Sequence, residues 1–503
     1  MKLVSLNNRI LHIAIWSLIL VGSLTFVIPE LNNLPSGVHN WAQSDRLSVA
    51  FKFQDHANIF CSRTHNISTP DGQCGVEFPL VQYVSAQISR IINPNWLPAI
   101  YRLINYGLLL LALWFYSGSF RNKLHGSLWA ILVASAPVLL FYANGFLPDV
   151  AALSIIIISL GFYRKASQSQ SLKYFLYAIA LGYLASLVKT TAGIYALALS
   201  GVVFLRFIRN ASYNKAGLVV LTATVSLVLV VGYDYIFFHK VNKDLFSPIF
   251  MSSGQPLSTW GDWQEFLKSI RYWSGQSVSL LQLGVILLLT IYFVLKRAKI
   301  NARQDRLSWI YLIGLVGFFG VMGKQFFHHD YYYITSVYPL LFMIVDEEKL
   351  DQLMQKSVTT YMVIALSLGS FGLGLNLASK RFNHHYKWKN KGVAIDISWM
   401  QGGAQTLNSI GIEPEATLFI CYTAAPNTGL LHFNRNGKTF NHEEMTRNPK
   451  VANVYYWKDR LRPDYLIVPQ VHIDDLKQDQ PPLWDDMYLF AKREDYSIYK
   501  LNY

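Results

Sequence analysis

Long apolar runs separated by short polar segments occupy this chain from residue 10 to residue 378. The runs lie near 10–28, 97–117, 124–142, 147–163, 172–187, 190–208, 216–237, 277–295, 307–325, 331–345 and 358–378. Each is about 15 to 22 residues, against roughly 20 for a helix standing perpendicular to a bilayer. The pattern predicts a polytopic α-helical membrane protein with about eleven transmembrane helices. The stretch 172–208 also fits one bent element. No repeat of fixed period and no low-complexity tract interrupts the series.

Beyond residue 378 the pattern changes. Ala416-Thr417-Leu418-Phe419-Ile420-Cys421 and Tyr465-Leu466-Ile467-Val468 read as buried strands bounded by proline and polar residues. Residues 489–493 and 496–501 read as a hairpin around Glu494-Asp495, and 401–410 as a helix. The expected organisation is a transmembrane module over 1–378 and a small C-terminal α/β domain over 379–503. Two polar connectors, 29–96 and 238–276, lie between spans. The first is long enough to suggest function, and its Val49-Ala50-Phe51-Lys52-Phe53 could begin an amphipathic helix lying on the membrane.

Charge sharpens this picture. Hydrophobic residues make up 52% and charged residues 15%, well below the ~25% charged of ordinary globular domains. The formal charge of +14 would suit a nucleic-acid binder, but the basic residues fall in alternate short loops. These hold Arg121 and Lys123; Arg164, Lys165 and Lys173; Arg206, Arg209 and Lys215; then Lys296, Arg297, Lys299, Arg303 and Arg306. That bias marks cytoplasmic loops and puts the N-terminus in the cytoplasm. An odd number of spans then puts the C-terminal domain outside. The first span reads as retained rather than cleaved. No Gly-rich nucleotide loop, His-Glu-x-x-His helix or Gly-x-Ser-x-Gly elbow is present, which disfavours an ATP-driven pump.

The candidate chemistry lies on the face opposite the basic loops. Asp45 follows the first span and could act as a general base on an acceptor hydroxyl or amine; Ser44 or Asp45 would equally cap a helix. Glu77, before Pro79, could position Asp45 or bind an acceptor, or partner a helix dipole. Asp149 follows Pro148 at the start of the fourth span, where Pro-Asp is also an ordinary helix start. Converging carboxylates could share acid–base work or a divalent cation. Lys189 interrupts an apolar stretch; a lysine near membrane depth suits a phosphate, although snorkelling at a helix end is the plainer account. His328, His329, Asp330 and Tyr331 follow the ninth span and suit a phosphate or sugar, or simply an interfacial tyrosine belt. Arg102, at the outer start of the second span, is a weaker donor-binding candidate. Further along lie His239 and the paired tryptophans of Trp260-Gly261-Asp262-Trp263, then a basic collar from Lys380-Arg381 through His384, His385, Lys387, Lys389 and Lys391. Cys61 and Cys74 share the first outer loop, where a disulfide could form. Cys421 reads as a buried strand residue.

These motifs occur in an order that resembles the GT-C glycosyltransferases, specifically the family 39 type. That group includes dolichyl-phosphate-mannose–protein mannosyltransferases and the bacterial lipid A aminoarabinose transferase. The resemblance rests on Trp41-Ala42-Gln43-Ser44-Asp45-Arg46, Glu77-Phe78-Pro79-Leu80, Leu147-Pro148-Asp149, Leu187-Val188-Lys189 and His329-Asp330-Tyr331-Tyr332. Asn434-Arg435-Asn436-Gly437-Lys438 adds to it in the tail. It implies a sugar donor on a polyprenyl phosphate, transfer at the outer face of a bacterial cytoplasmic (inner) membrane, and inversion at the anomeric carbon. Asp45 would then be the base, with Glu77 and Asp149 as further catalytic acids and Lys189 and the His329/Tyr331 region holding the donor. The acceptor would be a lipid, glycan or protein. In one departure, Ser44-Asp45-Arg46 stands where many relatives carry Asp-Glu, so the second acid is missing from that place. Competing readings are a lipid-linked glycan flippase or transporter, an O-antigen ligase-like transferase, and a non-catalytic scaffold. The enzymatic reading depends on positions 45, 77, 149 and 189 gathering around one extracytoplasmic cavity.

Overall fold

The computed structural model describes residues 2–245, 255–295, 305–355, 357–383, 396–423, 426–441, 444–445 and 454–503. Lys296, Arg297, Lys299 and Arg303 of the last basic loop lie outside the described residues, as do His384, His385, Lys387, Lys389 and Lys391 of the collar. The chain divides into two units drawn from interleaved segments. The first is Met1–Leu31, Arg102–Tyr235 and Ser252–Lys380; the second is Asn32–Tyr101, Ile236–Met251 and Arg381–Tyr503.

Seven helices among the described residues are long and apolar enough to cross a membrane: Arg9–Glu30, Pro94–Ser117, Asp149–Ser169, Thr190–Arg209, Tyr213–Asp244, Arg306–Phe327 and Ser357–Lys380. Lys123–Ala134 and Pro137–Ala143 make an eighth if this pair, bent by 85°, is one span. Leu172–Val188 and Leu280–Ile291 are shorter apolar helices.

Two of the expected spans are broken, and both breaks have the same cause. Proline has no N–H for the carbonyl four residues back, and its ring clashes there. Pro137 ends hydrogen bonding at Val133, and the Val133 carbonyl instead accepts from Gln282 Nε2 at 2.9 Å, with Leu132 accepting at 2.8 Å. Gly374 allows the Ser357–Lys380 helix to pass this break; a Cβ there would lie 2.0 Å from the Ser135 carbonyl oxygen. The stretch 331–345 is likewise two short helices, Tyr332–Ser336 and Tyr338–Met343, rather than one. Pro339 cannot donate to Thr335, and Tyr311 Oη donates to the carbonyls of Thr335 at 3.2 Å and Ser336 at 2.6 Å. An apolar surround tolerates a broken helix when neighbouring side chains take up the freed carbonyls in this way.

The second unit contains a five-stranded sheet: β1 (Leu418–Cys421), β2 (Gly437–Phe440), β3 (Tyr465–Pro469), β4 (Met487–Lys492) and β5 (Tyr496–Leu501). Its order is β2-β1-β3-β5-β4. β1 pairs parallel with β2 and β3, whereas β5 pairs antiparallel with β3 and β4. Alternation puts Leu418, Ile420, Ile467 and Ile498 in one core with Leu407 and Phe433. Phe419, Cys421, Leu466 and Val468 enter a second core with Leu476 and Leu483. Both faces of the central strands are therefore covered. The long connector after the first span belongs to this unit too. Its Ile67 N–H donates to Gly437 O at 2.8 Å and Gly437 N–H to His65 O at 3.0 Å, extending the edge of β2.

Gln282→Leu and Tyr311→Phe are each expected to cost about 1–3 kcal/mol, because the first removes the side-chain donor to the Val133 carbonyl and the second the donor to the Thr335 and Ser336 carbonyls. Lower melting temperatures in detergent micelles for both variants are the expected result; wild-type melting would show that the breaks are satisfied by other groups.

Candidate functional site

In the first unit, Asp149 is the first residue of the Asp149–Ser169 helix, directly after Pro148. A carboxylate in the first turn is favoured by the helix dipole, but Asp149 is also fully buried, so it needs a cation. Lys189 answers it. The chain turns extended at Lys189, in the gap after the Leu172–Val188 helix. Its Nζ lies 3.8 Å from Asp149 Oδ1 and 5.3 Å from the Tyr332 ring centroid. Thr191 Oγ1 then meets Thr335 Oγ1 at 2.5 Å, joining the lysine-bearing turn to the segment that follows His329.

Asp330 is buried and accepts from Tyr142 Oη at 2.7 Å, and the Tyr142 and Tyr331 rings are 5.9 Å apart. The His329 ring packs 5.3 Å from Tyr331 and 5.8 Å from Tyr332. Asp149, Lys189, His329, Asp330 and Tyr331 therefore gather at one end of the first unit. His328 is exposed, its ring 6.4 Å from Phe327. The sequence groups Arg102 with the donor-binding residues. In the structure its guanidinium donates to the Asn144 carbonyl and lies 4.3 Å from the Phe146 ring centroid. Asn105 Nδ2 donates to the Tyr142 carbonyl at 2.9 Å. These two side chains hold the turn that leads into Asp149.

The far end of the same helix has the opposite chemistry. Arg164 pairs with Glu347 at 2.8 Å and stacks 3.7 Å over Phe120. His125 Nδ1 meets Asp351 Oδ1 at 2.5 Å, and the Arg121 N–H donates to Glu347. Arg164 lies fifteen residues after Asp149 on this helix, or about 22 Å along it at 1.5 Å per residue. The broken segment 331–345 runs from the first end to the second.

In the second unit, Asp45 lies inside the Asn40–Lys52 helix, in its second turn, and so does not cap it. Its carboxylate is buried, and Asn427 Nδ2 donates to Oδ1 at 2.8 Å. Burial pushes the Asp45 carboxyl up to about 7, against the opposing pull of the Asn427 hydrogen bond and the Arg46 charge. Arg46 Nη2 meets Glu77 Oε2 at 2.9 Å, so Glu77 acts on its neighbourhood through that guanidinium. On the next turn Ser48 Oγ is 2.7 Å from His65 Nδ1. Asn427 has no signal in the sequence: 382 positions separate it from Asp45.

Cys61 and Cys74 lie in neighbouring segments of the loop, where Arg63 and Gln73 form an isolated antiparallel bridge and Cys74 N–H donates to Ser62 O at 3.0 Å. Both are free thiols, and burial raises that of Cys74 above its usual range. Cys421 is buried in β1. Among the described residues no group of three or more His, Cys, Asp and Glu side chains gathers as a metal site would.

No protein-family model matches this chain, and no curated protein matches its sequence. Solved structures match its fold over nearly the whole length. ArnT from Cupriavidus metallidurans bound to undecaprenyl phosphate is 12% identical with a TM-score of 0.58, the match covering 98% of this chain and 97% of that one. The apo state of the same protein gives 12% identity and a TM-score of 0.60 over 99% and 98%. The archaeal oligosaccharyltransferase AglB from Archaeoglobus fulgidus, in complex with an inhibitory peptide and a dolichol-phosphate, gives 11% and 0.52 over 97% and 74%. Both proteins are GT-C family members, ArnT a lipid A aminoarabinose transferase, and this chain is similar to them in fold.

Because the folded Asp45 binds its proton more tightly than the ordinary carboxyl at 3.8, wild-type stability falls as pH rises through that interval and is level above it. Asp45→Asn is expected to melt near the wild-type temperature at pH 4 and above it at pH 6, with a margin that stops growing past about pH 7. A margin independent of pH in thermal melts would show that Asp45 is not held protonated by its surroundings.

Proposed function

We propose that this protein is an integral membrane glycosyltransferase that moves a hexosyl or pentosyl group from a polyprenyl-phosphate carrier to a lipid, glycan or protein acceptor, at the outer face of a bacterial cytoplasmic membrane. One observation carries this reading: a buried lysine, Lys189, held 3.8 Å from Asp149 at the end of the helical unit away from its basic loops. The fold likeness supports it, since one of the similar structures was solved with undecaprenyl phosphate and another with a dolichol-phosphate. In this reading the N-terminus is cytoplasmic, eleven crossings include the broken segment 331–345, and residues 379–503 are extracytoplasmic.

The reaction breaks the bond between the anomeric carbon and the phosphate oxygen and forms one from that carbon to the acceptor oxygen or nitrogen, with inversion. The leaving group is a lipid phosphate. Lys189 neutralises the charge that grows on its oxygens, a larger effect in an apolar surround than in water. Asp149 keeps the lysine charged and oriented while the site is empty, and Tyr142, Asp330, His329 and Tyr331 hold the sugar and phosphate. Asp45 takes the acceptor's proton. A carboxyl raised toward neutrality is a stronger base than an ordinary one and is still ionised in a large fraction of molecules. Arg46 and Glu77 fix its surroundings.

Transfer from a panel of labelled hexosyl and pentosyl undecaprenyl phosphates, measured in membranes, tests these roles. Asp45→Asn is expected to lower the rate by ~10²–10⁴-fold. Lys189→Met is expected to lower it by ~10²–10³-fold, with most of the loss in kcat. The wild-type rate should rise with pH through about 7. Undiminished transfer by a folded Asp45→Asn protein would remove the base assignment.

A further inference from the structure

We propose that Asn427 is a positioning residue for Asp45, so that the C-terminal segment completes the base rather than serving only to recognise an acceptor. This rests on the assignment of Asp45 as the base. Asn427 is fully buried and precedes the Thr428–Phe433 helix. Its side-chain amide bridges two parts of the unit. Nδ2 donates to Asp45 Oδ1 at 2.8 Å, while Oδ1 accepts from the Asn66 backbone N–H at 3.0 Å and from Ser48 Oγ at 3.3 Å.

That network fixes which way the amide faces. A backbone N–H can only donate, so the group toward Asn66 must be the oxygen. The NH₂ is then obliged to face Asp45; the reverse orientation would set two donors against each other and an oxygen against a carboxylate. The residues around Asn427 are tied down as well. Asn66 Nδ2 and Thr439 Oγ1 both donate to the Pro426 carbonyl, each at 3.0 Å. His65 N–H donates to Ser48 Oγ at 2.9 Å. Helix Asn40–Lys52, the loop through His65 and Asn66, and the turn before Thr428 thus constrain one amide.

Such an amide has two effects on Asp45. It sets the rotation of the carboxylate, and it stabilises the ionised form against burial. The other charged or titratable groups near Asp45 are Arg46 on its own helix, Glu77 through Arg46, and the Cys74 thiol on the loop. His39 precedes the same helix, and His65 reaches Ser48. His432, on the helix that follows Asn427, is lowered to about 4 by burial, and His65 to about 3, so neither changes charge near neutrality.

Asn427→Asp is the most direct test, because it keeps shape and the oxygen for Asn66 and replaces only the NH₂. With a [¹⁴C]hexosyl undecaprenyl phosphate as donor, transfer by this variant should fall ~8-fold or more at pH 6.5 and recover to within ~3-fold at pH 9, the acidic limb moving up by about one unit or more. A loss equal at every pH, with the limb unmoved, would make Asn427 merely structural and overturn the proposal. If Asp45→Asn keeps full transfer, the base assignment falls and the proposal with it; if Asp45→Asn is inactive and the Asn427→Asp limb stays in place, only the positioning role falls. Melts of Asn427→Ala, with and without Asp45→Asn, read the same coupling without any donor. The stability gained from Asp45→Asn should level off at higher pH in the Asn427→Ala background, and an unchanged plateau would again overturn the proposal.

Discussion

A polar group in an apolar surround must find its partner on another segment, because water is not there to supply one. This constraint organises the described structure at three scales. For the backbone, Gln282 and Tyr311 occupy the carbonyls that Pro137 and Pro339 leave open. For single charges, Lys189 faces Asp149 and Arg164 faces Glu347. For the candidate base, an amide from Asn427 meets a carboxylate 382 positions earlier in the chain. In each case the partner comes from a distant segment, so satisfying one local need also fixes the packing of two helices or of a helix and a loop.

The first unit applies this constraint to charges at both ends of one helix. Its Asp149–Ser169 helix carries an acid at the start and Arg164 near the end, and each end recruits its own counter-charges. The segment 331–345 links the two clusters, with Asp330 bound at the first and Glu347 at the second. A straight helix there would have presented one continuous hydrogen-bonded face. The short helix before Pro339 presents both Thr335 to Thr191 and Tyr332 to the Lys189 ammonium. The ammonium thus has a carboxylate at 3.8 Å and an aromatic face at 5.3 Å.

Much of this was legible in the sequence where the signal is local. Apolar run lengths locate the long helices, and the hairpin around Glu494-Asp495 is found between β4 and β5. The strands around Leu418 and Tyr465 and the helix near 401–410 also appear, the last as Gly403–Ser409. The break at 331–345 was missed although Pro339 marks it, because hydropathy counts proline as a minor interruption and not as a lost donor. Strand β2 escaped notice because Gly437-Lys438-Thr439-Phe440 is too short and mixed to show a period. Arg102 reads from sequence as a weak donor-binding candidate at the start of a span; only the fold reveals the Asn144 carbonyl and Phe146 ring that engage it. Asp45 reads equally as a cap or a base. Its place in the second turn removes the first reading, since a cap must precede the helix. Asn427 could not be read at all, because no periodicity relates two residues brought together by tertiary packing.

The chemistry of Asp45 follows from a balance between two opposing effects. Fully exposed, a carboxylate is ionised at neutral pH but holds a proton too weakly to remove one efficiently from a hydroxyl or amine. Buried with no donor, it would be protonated and useless as a base. Desolvation is the largest influence on Asp45 and raises its proton affinity, while the Asn427 N–H and the Arg46 charge oppose it, leaving the group near 7. Arg46 is itself paired with Glu77 at 2.9 Å. The neutral amide adds a directed hydrogen bond without adding charge, so it adjusts the affinity and the orientation together. The environment of Asp45 is therefore assembled from both the loop after the first long helix and the C-terminal segment, which gives a physical reason for the two to pack as one unit.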